Sequence, residues 1–191
     1  MSSAAFENKN HLQALCCGYP CPRVTIMVNY AENDDEWSRM MRAVIQRVQR
    51  AQMRVKGEAV REIGAGLVVF LGVMRGDTEK QAAFLAQKVC ELRIFTDDAD
   101  KMNLSLVDVG GDMLIVSNFT LSADCKKGRR PSFDASAPPG EAERLYDEFV
   151  ALVRRQPVKT VHTGTFGAHM DVWVENDGPV TIVIDTERIG K

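Results

Sequence analysis

The sequence predicts a mixed α/β domain, and three observations carry that expectation. Short β-rich runs recur between turn-forming residues, as at Ala43-Val44-Ile45-Gln46-Arg47-Val48. Two runs, Leu67-Val68-Val69-Phe70-Leu71-Gly72-Val73 and Met113-Leu114-Ile115-Val116, are continuously apolar, the pattern of strands covered on both faces. Two other stretches repeat apolar residues at helical spacing.

Taken in order, residues 1–40 form a separate compositional zone, read as a flexible N-terminal extension ahead of a domain spanning 41–191. Cys16, Cys17 and Cys21 crowd together there, but with His11 they match no common zinc spacing. From Arg42 onward, the first run and then Met53-Arg54-Val55 and Ala59-Val60-Arg61-Glu62-Ile63, which flank a Lys56-Gly57-Glu58 turn, read as antiparallel strands. Thr78 with Gln81 forms a capping box before Ala82, Leu85, Ala86, Val89, Cys90 and Leu92, a helix of about four turns whose stripe is core. Arg93-Ile94-Phe95 reads as a short strand. Asp97-Asp98-Ala99-Asp100 lacks the glycine and distal glutamate of a calcium loop and reads as a solvated turn. After the second buried strand, Pro138-Pro139-Gly140 opens a second amphipathic helix marked by Leu145, Phe149, Leu152 and Val153. Near the end, Asn176-Asp177-Gly178-Pro179-Val180-Thr181 separates Val172-Trp173-Val174 from Val180-Thr181-Ile182-Val183-Ile184, which reads as a β-hairpin with its loop. Proline in that loop offers no N–H, so such a turn can point bare carbonyls outward.

Composition bounds the function. With 191 residues, 45% hydrophobic and 26% charged, the chain suits one soluble domain. No apolar run nears the roughly 18 residues that span a bilayer, and no secretory signal opens the chain. Five cysteines, an odd number, argue against a disulfide framework and for a reducing cytoplasm. The net charge of −2 comes from residues 1–40, with three Lys/Arg against five Asp/Glu, while 41–191 balance at 21 against 21. A nucleic-acid partner would therefore be held by a local patch, and Lys126-Lys127-Gly128-Arg129-Arg130 is the dense basic cluster. A nuclear targeting signal is the competing reading of that run.

Conventional catalytic sets are hard to assemble. His162 and His169 lack the spacing of a zinc hydrolase, and no nucleophile elbow, phosphate loop or dinucleotide fingerprint occurs. Cys125 beside Lys126 has no evident base. What remains is a strand ending in Ser117, Asn118 and Thr120, followed by the basic loop. Backbone N–H groups escaping the ladder at a strand end can stabilise an oxyanion. The alternative is that these hydroxyls bond their own turn.

Ser117-Asn118-Phe119-Thr120-Leu121 together with Asn176-Asp177-Gly178-Pro179-Val180-Thr181 closely resembles the two signature motifs of the D-aminoacyl-tRNA deacylases. Gln46-Arg47-Val48, Gly64-Ala65-Gly66-Leu67, Lys101-Met102-Asn103-Leu104, Arg130-Pro131-Ser132-Phe133, Thr163-Gly164 and Phe166-Gly167-Ala168 add to the match, which covers about residues 41–191. Asn118 departs from the family's usual glutamine by one methylene, and residues 1–40 have no counterpart.

The resemblance implies a layered α/β/β sandwich with mixed, barrel-like sheets and two main helices, forming a two-fold homodimer with active sites at the interface. It implies hydrolysis of the ester joining a D-amino acid, or glycine mischarged on tRNA-Ala, to the terminal adenosine of tRNA, without metal or cofactor. A cis Gly178-Pro179 would enter the partner's site, with Asn176 and Thr181 flanking it and Arg47 bracing it. Phe119 and Thr120 N–H groups would form the oxyanion hole beside Ser117 and Asn118, with the tRNA 2′-hydroxyl helping to activate water or Thr120 acting as nucleophile. Phe133, Phe166 and Met170 would line the adenosine pocket, and Lys126, Lys127, Arg129 and Arg130 would meet phosphates. A non-catalytic tRNA-binding module and a small-ester hydrolase are the other readings.

Overall fold

The computed structural model describes residues 40–186. The readings of His11, the clustered cysteines and the acidic run at 32–36 lie outside the described residues.

The first strand, β1 (Arg42–Val55), organises the sheet. On one edge it pairs antiparallel with β2 (Arg61–Ile63), from Ala51 opposite Ile63, and with β3 (Gly66–Gly72), from Arg42 opposite Gly72. Along its other edge runs β8 (Met170–Asp185), also antiparallel. Beyond β3 the sheet turns parallel, first to β6 (Asp112–Ser117) and then to β7 (Thr160–Thr163). The result is one six-stranded, nearly closed, barrel-like sheet, with a separate two-stranded piece, β4 (Phe95–Thr96) and β5 (Met102–Leu104). The expected mixed, barrel-like strand arrangement is present as a single curled sheet, and the strand expected at Arg93 begins at Phe95.

The continuously apolar strands are explained by what covers them. Side chains alternate across a strand, so Leu67, Val69, Leu71, Met113 and Ile115 join a core with the helices, whereas Val68, Leu114 and Val116 join Val48, Met53 and Ile63 on the opposite face. The helical side is supplied by α1 (Glu79–Glu91) through Leu85, Val89 and Cys90 and by α3 (Pro139–Arg154) through Leu145, Phe149 and Val153. Burial pushes the Cys90 thiol up to about 11, in keeping with a core residue. The capping box forms, with Thr78 Oγ1 accepting from the Lys80 N–H at 3.3 Å and Gln81 Oε1 from the Thr78 N–H at 3.0 Å. A short helix, α2 (Leu106–Val109), completes the set. The acidic run is a turn in which Asp97 Oδ1 accepts from the Ala99 and Lys101 N–H groups. Among the described residues no helix is long and apolar enough to cross a membrane.

The C-terminal hairpin does not form. Both halves of 170–185 pair with β1, as one strand interrupted by a bulge. Gln46 faces Thr181 and Val48 faces Asn176, so two steps along β1 match five along β8, and Asp177 to Val180 are extruded. The turn-forming residues are used for the extrusion, while strand pairing is dictated by β1, some 130 residues away in sequence.

Asp77 fastens the start of this arrangement. It is 2% exposed and accepts from the N–H groups of Met41, at 2.7 Å, and Met74, at 2.6 Å. Burial raises its pKa to about 6, with a smaller contribution from Glu141, against the lowering effect of those two donors. A raised carboxyl pKa favours the fold below the unfolded value, and that contribution is lost as pH rises through the folded value. Urea unfolding should therefore show the stability difference between the parent and Asp77→Asn shrinking by about 1–2 kcal/mol between pH 4.5 and pH 7. A pH-independent difference would contradict the assignment.

Candidate active site

The described residues enclose a cleft of about 680 Å³ at the C-terminal ends of β3 and β6. The ends of parallel strands are where such folds leave backbone groups unpaired and available to ligands. One wall is Ser117, Asn118, Phe119 and Thr120; another is Phe166 to Met170; Tyr146 and Ala142 of α3 face them. Six of the expected residues, Ser117, Asn118, Phe119, Thr120, Phe166 and Met170, therefore share one cavity.

β6 ends at Ser117 because the chain folds into a single 3-10 turn, Phe119–Ser122. The turn sits directly on β3: the Asn118 N–H donates to the Leu71 carbonyl at 2.8 Å. A Cβ at Gly72 would lie 2.9 Å from Leu121 Cβ and 3.1 Å from the Asn118 oxygen, so a glycine is needed beneath the turn. Asn118 caps the turn: its Oδ1 accepts from the Thr120 N–H at 3.1 Å and from the Thr120 hydroxyl. Of the two N–H groups expected to hold an oxyanion, Thr120's is engaged by this carboxamide, whereas Phe119's has no partner among the described residues.

Phe119 is 60% exposed and meets Phe133 edge to face at 5.2 Å. Phe133 itself lies beside the cleft lining. Opposite, Phe166 tilts against Tyr146 at 6.0 Å, and the Tyr146 hydroxyl donates to the Ile115 carbonyl at 3.0 Å. Burial pushes that phenol up to about 12, so it remains a neutral donor. Tyr146 escaped the sequence reading because the α3 stripe accounts for it as core; an aromatic with a polar tip on such a stripe was the available signal. Met170 reaches the cleft because Gly164 makes room, a Cβ there lying 2.5 Å from its sulfur. His169 lines the mouth with a side chain 93% exposed, 3.6 Å from Asp171 Oδ1.

The other expected residues lie elsewhere in the chain. Arg47 is 8% exposed beneath the β8 bulge, donating through Nη1 to the Ile94 carbonyl. Its Nε lies 2.8 Å from Asp177 Oδ2, off the donor direction, so the contact is an ion pair rather than an aligned hydrogen bond. Asn176 ties the bulge shut by donating to the Arg47 and Val180 carbonyls. Gly178 has φ +117°, and the Gly178–Pro179 peptide is cis; both residues are exposed. Thr181 accepts from Gln46 Nε2 at 3.2 Å. Lys126, Lys127, Arg129 and Arg130 ride on an exposed loop closed by paired backbone bonds between Asp124 and Ser132. Among the described residues no cluster of three His, Cys, Asp or Glu could hold a metal ion.

The cleft's lining combines a strand end with its hydroxyls and an open backbone N–H on one side and aromatic and aliphatic side chains on the other. The family model described as D-Tyr-tRNA(Tyr) deacylase matches residues 44–185. The D-aminoacyl-tRNA deacylase of Pelobacter propionicus is 59% identical over 145 residues, covering 76% of this chain and 99% of that relative. A solved structure of a c-Myc DNA unwinding element binding protein is 39% identical with a TM-score of 0.71, covering 75% of this chain and 97% of its own. One of a probable eukaryotic D-amino acid tRNA deacylase, 21% identical with a TM-score of 0.68, shares the fold over 76% of this chain and 99% of its own. The chain belongs to the D-aminoacyl-tRNA deacylase family.

Removing the cap should loosen the turn without unfolding the domain. Asn118→Ala is expected to cost about 1 kcal/mol, the usual worth of a side-chain cap, and to speed amide exchange at Thr120. Unchanged exchange there would show that the carboxamide does not hold the N–H.

Proposed function

We propose that the chain hydrolyses the ester of D-aminoacyl-tRNA, and of glycyl-tRNA mischarged on tRNA-Ala, releasing free tRNA and the amino acid as a proofreading step of translation. The observation that carries this reading is the joining of Ser117 to Thr120 with Phe166 and Met170 in one cleft. The aminoacyl ester lies against the turn and the terminal adenosine against the opposite wall, where an aromatic ring and a thioether suit a base. Phe119 N–H is the donor open to the developing oxyanion; Thr120 N–H joins it when the Asn118 carboxamide rotates away. Water, activated with help from the tRNA 2′-hydroxyl, attacks the carbonyl carbon. The C–O bond to the ribose breaks, and the leaving oxygen takes up a proton.

The same reading assigns Gly178–Pro179 to the partner's cleft in a two-fold homodimer. It is supported by two features: the bulge does not line the cleft of its own protomer, and β8 pairs only with β1, leaving its outer edge open among the described residues. Carbonyls of the bulge would hold the substrate's α-amino group and crowd an L side chain. Arg47 braces the bulge from below. Lys126, Lys127, Arg129 and Arg130 meet phosphates, making affinity fall with salt. Residues 41–191 are the deacylase domain of a cytoplasmic enzyme.

Deacylation of D-tyrosyl-tRNA against a free D-tyrosine ester tests this reading. Turnover of the charged tRNA is expected; binding without turnover would indicate an RNA-binding module, and turnover of the free ester alone a small-ester hydrolase. Thr120→Ala should keep activity within about tenfold of the parent, whereas a loss of about a thousandfold, the scale of a missing catalytic group, would make the hydroxyl a nucleophile.

A further inference from the structure

The wall made by Phe166 to Met170 is fastened from outside the cleft. Thr165, one residue before Phe166, donates through its hydroxyl to Glu58 Oε1 at 2.9 Å, with Oε2 at 3.1 Å. Arg61 closes the triangle, donating through Nη2 to Glu58 Oε2 at 2.5 Å and through Nη1 to Thr165 Oγ1 at 3.4 Å. Glu58 is itself tied to the sheet, its N–H donating to the Val55 carbonyl at 3.0 Å in the turn between β1 and β2. None of the three lines the cavity.

The loop they hold is otherwise anchored by the packing of Phe166 on the core and by two backbone bonds. The Gly164 N–H donates to the Ile115 carbonyl at 2.8 Å, and the Ala168 N–H to the Thr165 carbonyl at 3.1 Å. That second bond only closes the loop on itself. Among the described residues, the Thr165 hydroxyl ties this loop by a hydrogen bond to the turn between β1 and β2, directly beside the ring that tilts against Tyr146. The Glu58–Arg61 pair is about one-third exposed, so its worth is modest and its effect is that of orientation.

We infer that Glu58 and Arg61 are positioning residues for the substrate end that this wall receives, acting on binding through Thr165 rather than on the chemical step. The inference rests on the functional reading above, with the terminal nucleoside of tRNA against Phe166. Uniform loss of binding raises KM and leaves kcat alone, which separates positioning from a loss of folded enzyme, since misfolding lowers kcat instead.

The test uses the full-length chain and D-tyrosyl-tRNA. Glu58→Ala and Thr165→Ala should each raise KM about fivefold with kcat within twofold, and the double variant should be no worse than either alone, because both remove one contact. Glu58→Gln keeps an oxygen for the Thr165 hydroxyl and should stay within about twofold of the parent. Amide exchange of residues 164–169 without substrate should be faster in Glu58→Ala. An unchanged KM or unchanged exchange in Glu58→Ala, or full additivity in the double variant, overturns the positioning role. A parent protein inactive on D-tyrosyl-tRNA overturns the functional reading and the substrate assigned here, while the exchange measurement still decides whether Glu58 orders the loop.

Discussion

The contact on which the arrangement depends is the ion pair of buried Arg47 with the half-buried Asp177. Arg47 is 8% exposed, so its guanidinium has little water to turn to; one donor goes to the Ile94 carbonyl and another side of the group faces the carboxylate. A buried charge without a partner is costly. The extrusion of Asp177 to Val180 from β8 brings that partner down onto the sheet and, by the same geometry, pushes Gly178 and Pro179 out to the surface. The bulge is therefore fixed from beneath, and Asn176 closes its neck.

The cleft is built on the opposite principle. Its polar end is the place where β6 leaves the sheet, and the 3-10 turn there rests on a glycine of β3. Its apolar walls come from separate elements, with α3 supplying Tyr146, the loop before β8 supplying Phe166, and the start of β8 supplying Met170. Within one protomer the bulge and the cleft are separate features of the same strand order. The proposed dimer gives each of them a use, and the open edge of β8 gives the dimer a surface.

Much of this was legible in the sequence wherever the signal was local. The capping box at Thr78 and the helical stripes of α1 and α3 follow from spacing, and the apolar strands β3 and β6 follow from being covered on both faces. The 176–181 segment was misread as a hairpin because Asn, Asp, Gly and Pro mark a reversal and an extrusion alike; the difference lies in what β1 does on the other side. The barrel-like curl was expected, but the strand order was not, since past β3 it depends on parallel pairings invisible to periodicity. The Thr120 hydroxyl bonds its own turn, as one reading of the strand end had it, but the acceptor, Asn118, was not foreseen. The residue was read as a shortened glutamine, although a side chain one methylene shorter is the length that reaches the N–H two residues on. The pairing of Glu58 with Thr165 carries no sequence signal, the two being 107 positions apart.

The central claim is that a backbone-built cleft and a rigid bulge together select the handedness of the amino acid. It is tested most directly by single-turnover hydrolysis of D-tyrosyl-tRNA and L-tyrosyl-tRNA by the same preparation. The account predicts that the D ester is cleaved at least about a hundredfold faster, the scale of a steric exclusion of a few kcal/mol. Equal rates for the two esters would contradict it.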